Sequence, residues 1–142
     1  MQYQYAVKLE VADGEFMATC RDIPEFVAVG DDRDEALYNA VEALELALSI
    51  YVDNKQAFPA PSKAKRDEHM VAVPVLSAAK LGLFSAMLDQ GVSKLALAKR
   101  LGVHPPQIDR LLDVSHASKI ETIEHALSLL GRRIVLEVEE AA

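Results

Sequence analysis

Cysteine is almost absent from this 142-residue chain, Cys20 being the only one. An intrachain disulfide and a thiolate metal cluster are therefore both excluded. The four histidines, His69, His104, His116 and His125, show no H-x-x-x-H or C-x-x-C spacing from which a metal site could be built. No apolar run is long enough to span a bilayer, and the opening M-Q-Y-Q-Y-A-V-K lacks the basic and apolar regions of a signal peptide. The expected location is the cytoplasm, with no membrane partner. No glycine-rich phosphate loop follows any predicted strand, and no cofactor is expected.

Catalytic constellations are missing too. Asp22, Asp31, Asp32, Asp34 and Glu42 could be imagined as the metal-binding carboxylates of a nuclease. A turn role for Asp22, capping roles for Asp32 and Asp34, and a solvated helix face for Glu42 account for them more simply. Cys20 has no basic neighbour in sequence to lower its pKa and reads as a small strand residue. The chain does not read as an enzyme.

What is present is an ordinary globular composition, 51% hydrophobic and 26% charged, enough for one substantial core or two small ones. The formal charge of −7 is unevenly spread. Residues 1–76 hold seven Lys or Arg against fourteen Asp or Glu, whereas residues 77–142 hold eight of each. From Lys80 to Lys119 six basic residues face three acidic ones. DNA affinity depends on local phosphate neutralisation, so the acidic total does not exclude it. The asymmetry suggests two partners of opposite charge.

The chain is organised around Ser93–Asp113, S-K-L-A-L-A-K-R-L-G-V-H-P-P-Q-I-D-R-L-L-D. Ser93 suits an N-cap, and Leu97, Ala98 and Leu101 share one helical face. Gly102 ends the first helix, where a residue without Cβ can turn left-handed. Pro105 and Pro106 fit the opening turn of a second helix, whose inner face is Ile108, Leu111 and Leu112. Gln107, Asp109 and Arg110 then point outward. Ala98 keeps the contact small enough for two steeply crossed helices. This stretch resembles the helix-turn-helix of bacterial repressors, whose second helix enters the major groove of double-stranded DNA. The bland alternative is an αα-hairpin inside a helical core.

The remaining segments predict an α+β fold. Tyr3, Tyr5, Val7, Leu9 and Val11 alternate onto one strand face, and Asp13-Gly14 signals a hairpin into a second strand over Glu15–Arg21. Phe26–Val29 is a third strand. A long helix follows, capped by Asp32 or Asp34 and striped with Ala36, Leu37, Ala40, Val41, Leu44, Leu48 and Val52. Asn54–Arg66 is extended and polar, and Met70–Val75 returns as a strand. From Ser77 the pattern is helical: Ala79, Leu83, Phe84 and Leu88 face one way, and Ser118 with Glu121 has capping-box spacing for a last helix, Lys119–Leu130. Ile134, Leu136 and Val138 predict a closing strand without a neighbour in its own domain, expected to pair with its copy in a homodimer or with another sheet edge.

The order of these parts carries a family likeness. A strand, a D-G-E-F turn, a strand, R-D-I-P-E-F, V-A-V-G-D-D-R-D-E-A and a long amphipathic helix lead through F-P-A-P-S and the helix-turn-helix to S-H-A-S-K-I. Over essentially its full length the chain resembles the HicB antitoxins of bacterial and archaeal HicA–HicB toxin–antitoxin pairs, of the helix-turn-helix variety. Many relatives have a proline before the aspartate and a glycine after I-P, where this chain has Arg21 and Glu25. The resemblance implies a truncated RNase H-like domain over 1–76 without nuclease activity, and a DNA-binding and dimerisation domain over 77–142. It implies neutralisation of a small basic HicA-like toxin that cleaves mRNA, and repression of the pair's own promoter.

Candidate toxin contacts are the acidic positions Asp22, Glu25, Asp31, Asp32, Asp34 and Glu35. Candidate base contacts are Gln107 and Arg110, with His104 and Pro105 near the helix start. Ser93, Lys94, His116 and Lys119 suit phosphates, together with helix N-terminal amides. Ile134, Leu136 and Val138 are the dimerisation candidates, in a dimer or a tetramer. The competing reading is a stand-alone helix-turn-helix repressor whose first domain senses a ligand or a protein.

Overall fold

The computed structural model describes residues 3–141. Four strands, β1 (Gln4–Ala12), β2 (Glu15–Thr19), β3 (Val27–Gly30) and β4 (Glu68–Ala72), form one antiparallel sheet in the order β3-β2-β1-β4. The β1–β2 hairpin closes on two residues, Ala12 pairing with Glu15. Both turn residues have positive φ, 52° at Asp13 and 79° at Gly14, as the twist of a two-residue hairpin requires. Five helices complete the chain: α1 (Arg33–Asp53), α2 (Val75–Gln90), α3 (Lys94–Leu101), α4 (Pro105–Leu112) and α5 (Ile120–Leu129). The mixed α+β class agrees with the pattern of the sequence.

The long helix starts where an aspartate can cap it. The Asp32 carboxylate accepts from the Glu35 amide at 2.8 Å. Gly30, at the end of β3, lets the first turn of α1 settle directly on the strand. A Cβ there would lie 2.3 Å from the Ala36 nitrogen, so any side chain would push helix and sheet apart. Tyr5, Val7, Ala18 and Ala28 of the sheet then bury against Ala40, Leu44 and Leu48 of α1. Val11 is exposed, because β1 runs on past this layer into the hairpin.

A second cluster joins α2 to α5 through Leu83, Phe84, Leu97, Ala98, Ile108, Ile123 and Leu127. Helix α2 begins at Val75, two residues ahead of the expected start, and β4 ends at Ala72, because Pro74 has no amide to extend a ladder. This helix serves both clusters. Leu81 packs into the first, while Ala79, Leu83 and Phe84 pack into the second. Leu88 does not join the inner stripe and is 36% exposed. Phe58 bridges the layers, its ring centroid 5.6 Å from Tyr3 and 5.5 Å from Phe84. Tyr5 donates its hydroxyl to the Pro59 carbonyl at 2.7 Å, so the polar connection after α1 is tied to the sheet.

One expectation about the end of the chain is corrected, and the closing strand has no partner within one chain. Ser118 does not cap α5: Lys119 occupies the cap position without a side-chain bond, and the Ser118 hydroxyl is engaged elsewhere. No strand forms over Ile134–Val138, since one chain offers that segment no neighbouring ladder. Ile134 packs against the second cluster, while Leu136 and Val138 are 64% and 89% exposed, so the three do not share a face.

Candidate functional site

Helices α3 and α4 meet as their side chains dictate. The Ser93 hydroxyl accepts from the Ala96 amide at 3.1 Å. Gly102 closes α3 with φ of 70°, and the Val103 amide returns to the Ala98 carbonyl at 3.0 Å. Leu97, Ala98, Ile108, Leu111 and Leu112 are all buried, which leaves His104, Pro105, Gln107, Asp109 and Arg110 on the outer face of α4. Gln107 and Arg110 lie one turn apart and are adjacent on that face. Among the described residues the Arg110 guanidinium has no ion-pair partner, and it does not pair with Asp113 three residues on.

Asp109 instead binds Lys94, Oδ1 to Nζ, at 2.6 Å across the two helices. This removes a carboxylate that would repel phosphate and also occupies one of the expected phosphate-binding cations. The α4 N-terminus is a poor anion site as well. Pro105 and Pro106 carry no amide hydrogen, and the Gln107 amide already bonds the His104 carbonyl at 2.9 Å. Lys99, Arg100, Arg110 and Lys119 remain as exposed cations, with His116 exposed on the loop that follows α4. Asp113 shapes that loop by accepting from the Ser115 amide at 2.9 Å.

Lys80 is the largest departure from the sequence reading, which counted it among the surface charges. It is fully buried. Its Nζ donates to the Arg110 carbonyl and to Ser118 Oγ, each at 2.7 Å. The Arg110 carbonyl belongs to the last turn of α4, where unpaired carbonyls and the negative dipole end favour a cation. Burial pushes the ammonium's pKa below its ordinary range, and Asp113 opposes the shift. A buried cation was not legible because its acceptors lie 30 and 38 residues away.

The six acidic candidates do not form one cluster. Asp22 is held by Ser62, whose amide and hydroxyl donate to its two oxygens at 2.8 and 2.7 Å. Glu25 accepts from the Tyr51 hydroxyl at 2.8 Å. Burial, and then that bond, push the Tyr51 pKa up to about 12. Tyr51 sits near the end of α1, whereas Asp31, Asp32, Asp34 and Glu35 surround its start, roughly 28 Å away at the helical rise. Asp32 is occupied as the cap. Asp31, Asp34 and Glu35 are exposed. Nearby, Arg21 holds Glu68 through Nε and Nη2 at 2.9 and 3.0 Å and pulls its carboxyl down to about 2.

Two grooves lie beside these features. One of about 840 Å³ opens between the end of α1 and helices α2 and α3, with Val52, Leu88 and Leu95 among its apolar walls and the Lys94–Asp109 pair at its rim. The other, about 480 Å³, runs between α1 and Val114–Ser115. Among the described residues no three His, Cys, Asp or Glu side chains converge as a metal site, and no helix is long and apolar enough to cross a membrane.

Residues 2–82 match the family model described as the HicB-like antitoxin of bacterial toxin–antitoxin systems. The chain is 46% identical over 142 residues to an antitoxin HicB of Pseudomonas fluorescens, covering 99% of this chain and 97% of that one. It is 38% identical to an antitoxin HicB 2 of Photorhabdus laumondii, covering 94% of each, and 33% identical to the antitoxin HicB of Escherichia coli K12, covering 94% and 97%.

The Lys80 bonds generate a stability prediction. Lys80→Ala removes a buried four-carbon stem as well as the ammonium and should cost about 3 kcal/mol. Lys80→Met restores the stem and should recover part of this, yet remain about 1 kcal/mol below the parent because the Arg110 carbonyl loses a charged donor. Denaturant unfolding measures both. A Met variant as stable as the parent would show that desolvation of the ammonium cancels its bonds.

Proposed function

The chain belongs to the HicB-like family of toxin–antitoxin antitoxins, and from that premise we propose that it neutralises a HicA-type mRNA-cleaving toxin and represses its own operon. Membership implies a toxin partner. In this reading the sheet and α1, within residues 1–76, form a truncated RNase H-like layer that binds the toxin. Residues 77–142 bind operator DNA through α3 and α4 as a helix-turn-helix and hold two copies together. The relatives are antitoxins, and we assign the chain no catalytic role and no cofactor, working in the cytoplasm.

The distribution of charge supports the toxin reading, because the layer that carries −7 suits a basic partner. The 840 Å³ groove would suit the competing ligand-responsive repressor. From residues 1–76, however, only the end of α1 and the turn after it contribute, and α2, α3, α4 and the loops beside them line the rest, so it gives a ligand-sensing first domain little support. Co-expression separates the two. The full chain should restore growth to cells producing the toxin from the neighbouring reading frame, and persistent toxicity with folded chain present would leave the stand-alone repressor.

The observation that carries the DNA reading is the division of α4 into an inner apolar face and an outer face on which Gln107 and the unpaired Arg110 stand side by side. Gln can bind adenine, and Arg guanine, with two hydrogen bonds, each discriminating by about 1–3 kcal/mol. His104 and Pro105 approach from the helix start, while Ser93, His116 and Lys119 face the backbone, joined by Lys94 where a phosphate displaces Asp109 from it. Arg110→Ala should weaken operator binding and relax preference at one position per half-site. Lys119→Ala should weaken all sequences alike and flatten the salt dependence. Unchanged operator affinity in Arg110→Ala counts against base reading by this residue.

Two half-sites need two copies, and the exposed apolar residues Val135, Leu136 and Val138 supply a strand-forming segment with nothing to pair in one chain. We assign them, with Ile134 at their base, to a strand shared between protomers. Truncation after Ile134 keeps its packing in the second cluster and should give a folded monomer by sedimentation. A truncated chain that stays dimeric places the contact elsewhere.

A further inference from the structure

Helix α1 carries five carboxylates, Asp34, Glu35, Glu42, Glu45 and Asp53, against one cation, Arg33. Arg33 does not offset them along the helix, because its guanidinium lies against the His69 ring at 3.1–3.3 Å, at the first turn. On the face opposite the sheet, three large apolar side chains stand among these acids: Tyr38, Leu46 and Ile50 are 81%, 57% and 43% exposed. Steps of three and four residues connect Glu35, Tyr38, Glu42, Leu46, Ile50 and Asp53, so they form one continuous ridge. Beside it runs the 480 Å³ groove whose far wall is Val114–Ser115.

Nothing in the single chain explains this ridge. Isolated exposed apolar residues are common, but here three align at helical spacing with carboxylates between them. Asp53 stands in the last turn, with no cation there, where the helix dipole opposes a negative charge. The acids assigned from sequence fit a docking surface less well, since Asp22, Glu25 and Asp32 are engaged in internal bonds.

We propose that the toxin docks on this ridge, inserting apolar side chains against Tyr38, Leu46 and Ile50 and placing Lys or Arg beside Glu42 and Asp53. The assignment rests on the antitoxin reading above and names its surface. Charge selects the occupant: a ridge with this excess of carboxylate repels an acidic partner and attracts a cationic amphipathic one. Tyrosine at the rim of a groove is the kind of anchor that dominates interface energetics.

The test uses the full chain and the purified toxin from the neighbouring reading frame, with affinity read by calorimetry and association rate by stopped flow. The Tyr38→Ala, Leu46→Ala double variant changes only exposed side chains and should keep the parent's circular dichroism. It should bind the toxin at least a hundredfold more weakly. Glu42→Lys should slow association about tenfold at low salt and flatten its salt dependence. A double variant within threefold of the parent's affinity overturns the ridge while leaving toxin binding intact. Absence of binding by the parent overturns the antitoxin reading and the ridge together. A double variant that keeps toxin affinity but loses self-association in sedimentation assigns the ridge to a second copy and also overturns the proposal.

Discussion

Burying the Lys80 ammonium places a directional constraint on α2 that its apolar contacts do not. An ammonium removed from water is tolerable only with acceptors in place, and here they are the Arg110 carbonyl and the Ser118 hydroxyl. Both must stay within hydrogen-bond reach of one point on α2, which fixes the last turn of α4 and the approach to α5 together. One residue further along α2, Leu81 fills the sheet-side core. Consecutive residues of a helix point about 100° apart, so a single turn faces both clusters. The Ser77 hydroxyl bonds Glu45 of α1, and Tyr3 meets Ser85 at 3.1 Å, which pin the same helix to the first layer. Directional polar bonds therefore act with the buried apolar face of α4 to fix its pose relative to the sheet.

The two departures from the family pattern belong to a similar device. Arg21 makes a two-pronged bond to Glu68, whose side chain is nearly buried, and also donates to the Lys63 carbonyl at 2.7 Å. Glu25 accepts from Tyr51 at the far end of α1. With Asp22 holding Ser62, three successive charged positions tie the loop before β3 to the long connection after α1 and to α1 itself. A proline or glycine at positions 21 and 25 could not form these side-chain bonds, so this chain holds the loop by charge. Carboxylates committed in this way contribute to the acidic total without offering a free surface to a partner.

Local signals in the sequence were read well wherever one residue decides the geometry. Ser93, Gly102 and the proline pair set the ends of α3 and α4, Asp32 starts α1, and Asp13-Gly14 closes the hairpin. Alternation and helical period located all four strands and most of the buried stripe. The failures are long-range. Ser118 has the spacing of a cap, but a lysine 38 residues earlier competes for its oxygen. Asp22, Glu25 and Asp31–Glu35 are neighbours in sequence, yet a 21-residue helix separates their environments. Tyr38, Leu46 and Ile50 follow the same helical period as the inner stripe of α1, so periodicity alone does not separate the exposed side from the buried one.

An acidic protein that presents a cationic helix pair faces a problem of distance that this fold answers. Charges separated by more than about 8 Å are largely screened at physiological ionic strength. Helix α1 alone is roughly 30 Å long at its helical rise, so the carboxylates around its start are screened from surfaces beyond its far end. Asp53 of α1 shares a groove with Lys94 and Asp109, and Glu42 and Glu45 share one with Val114–Ser115, while the acids of α4 and its end are engaged locally. Asp109 is neutralised by Lys94, and Asp113 is turned toward the Ser115 amide and the buried Lys80. Lys99, Arg100, Arg110 and Lys119 stand exposed in this region although the chain as a whole carries −7. Moving Lys80 to the surface would add a charge to that field, but it would leave the end of α4 without the donor that positions it. Buried, Lys80 adds nothing to phosphate attraction and instead holds the helix from which Gln107 and Arg110 project.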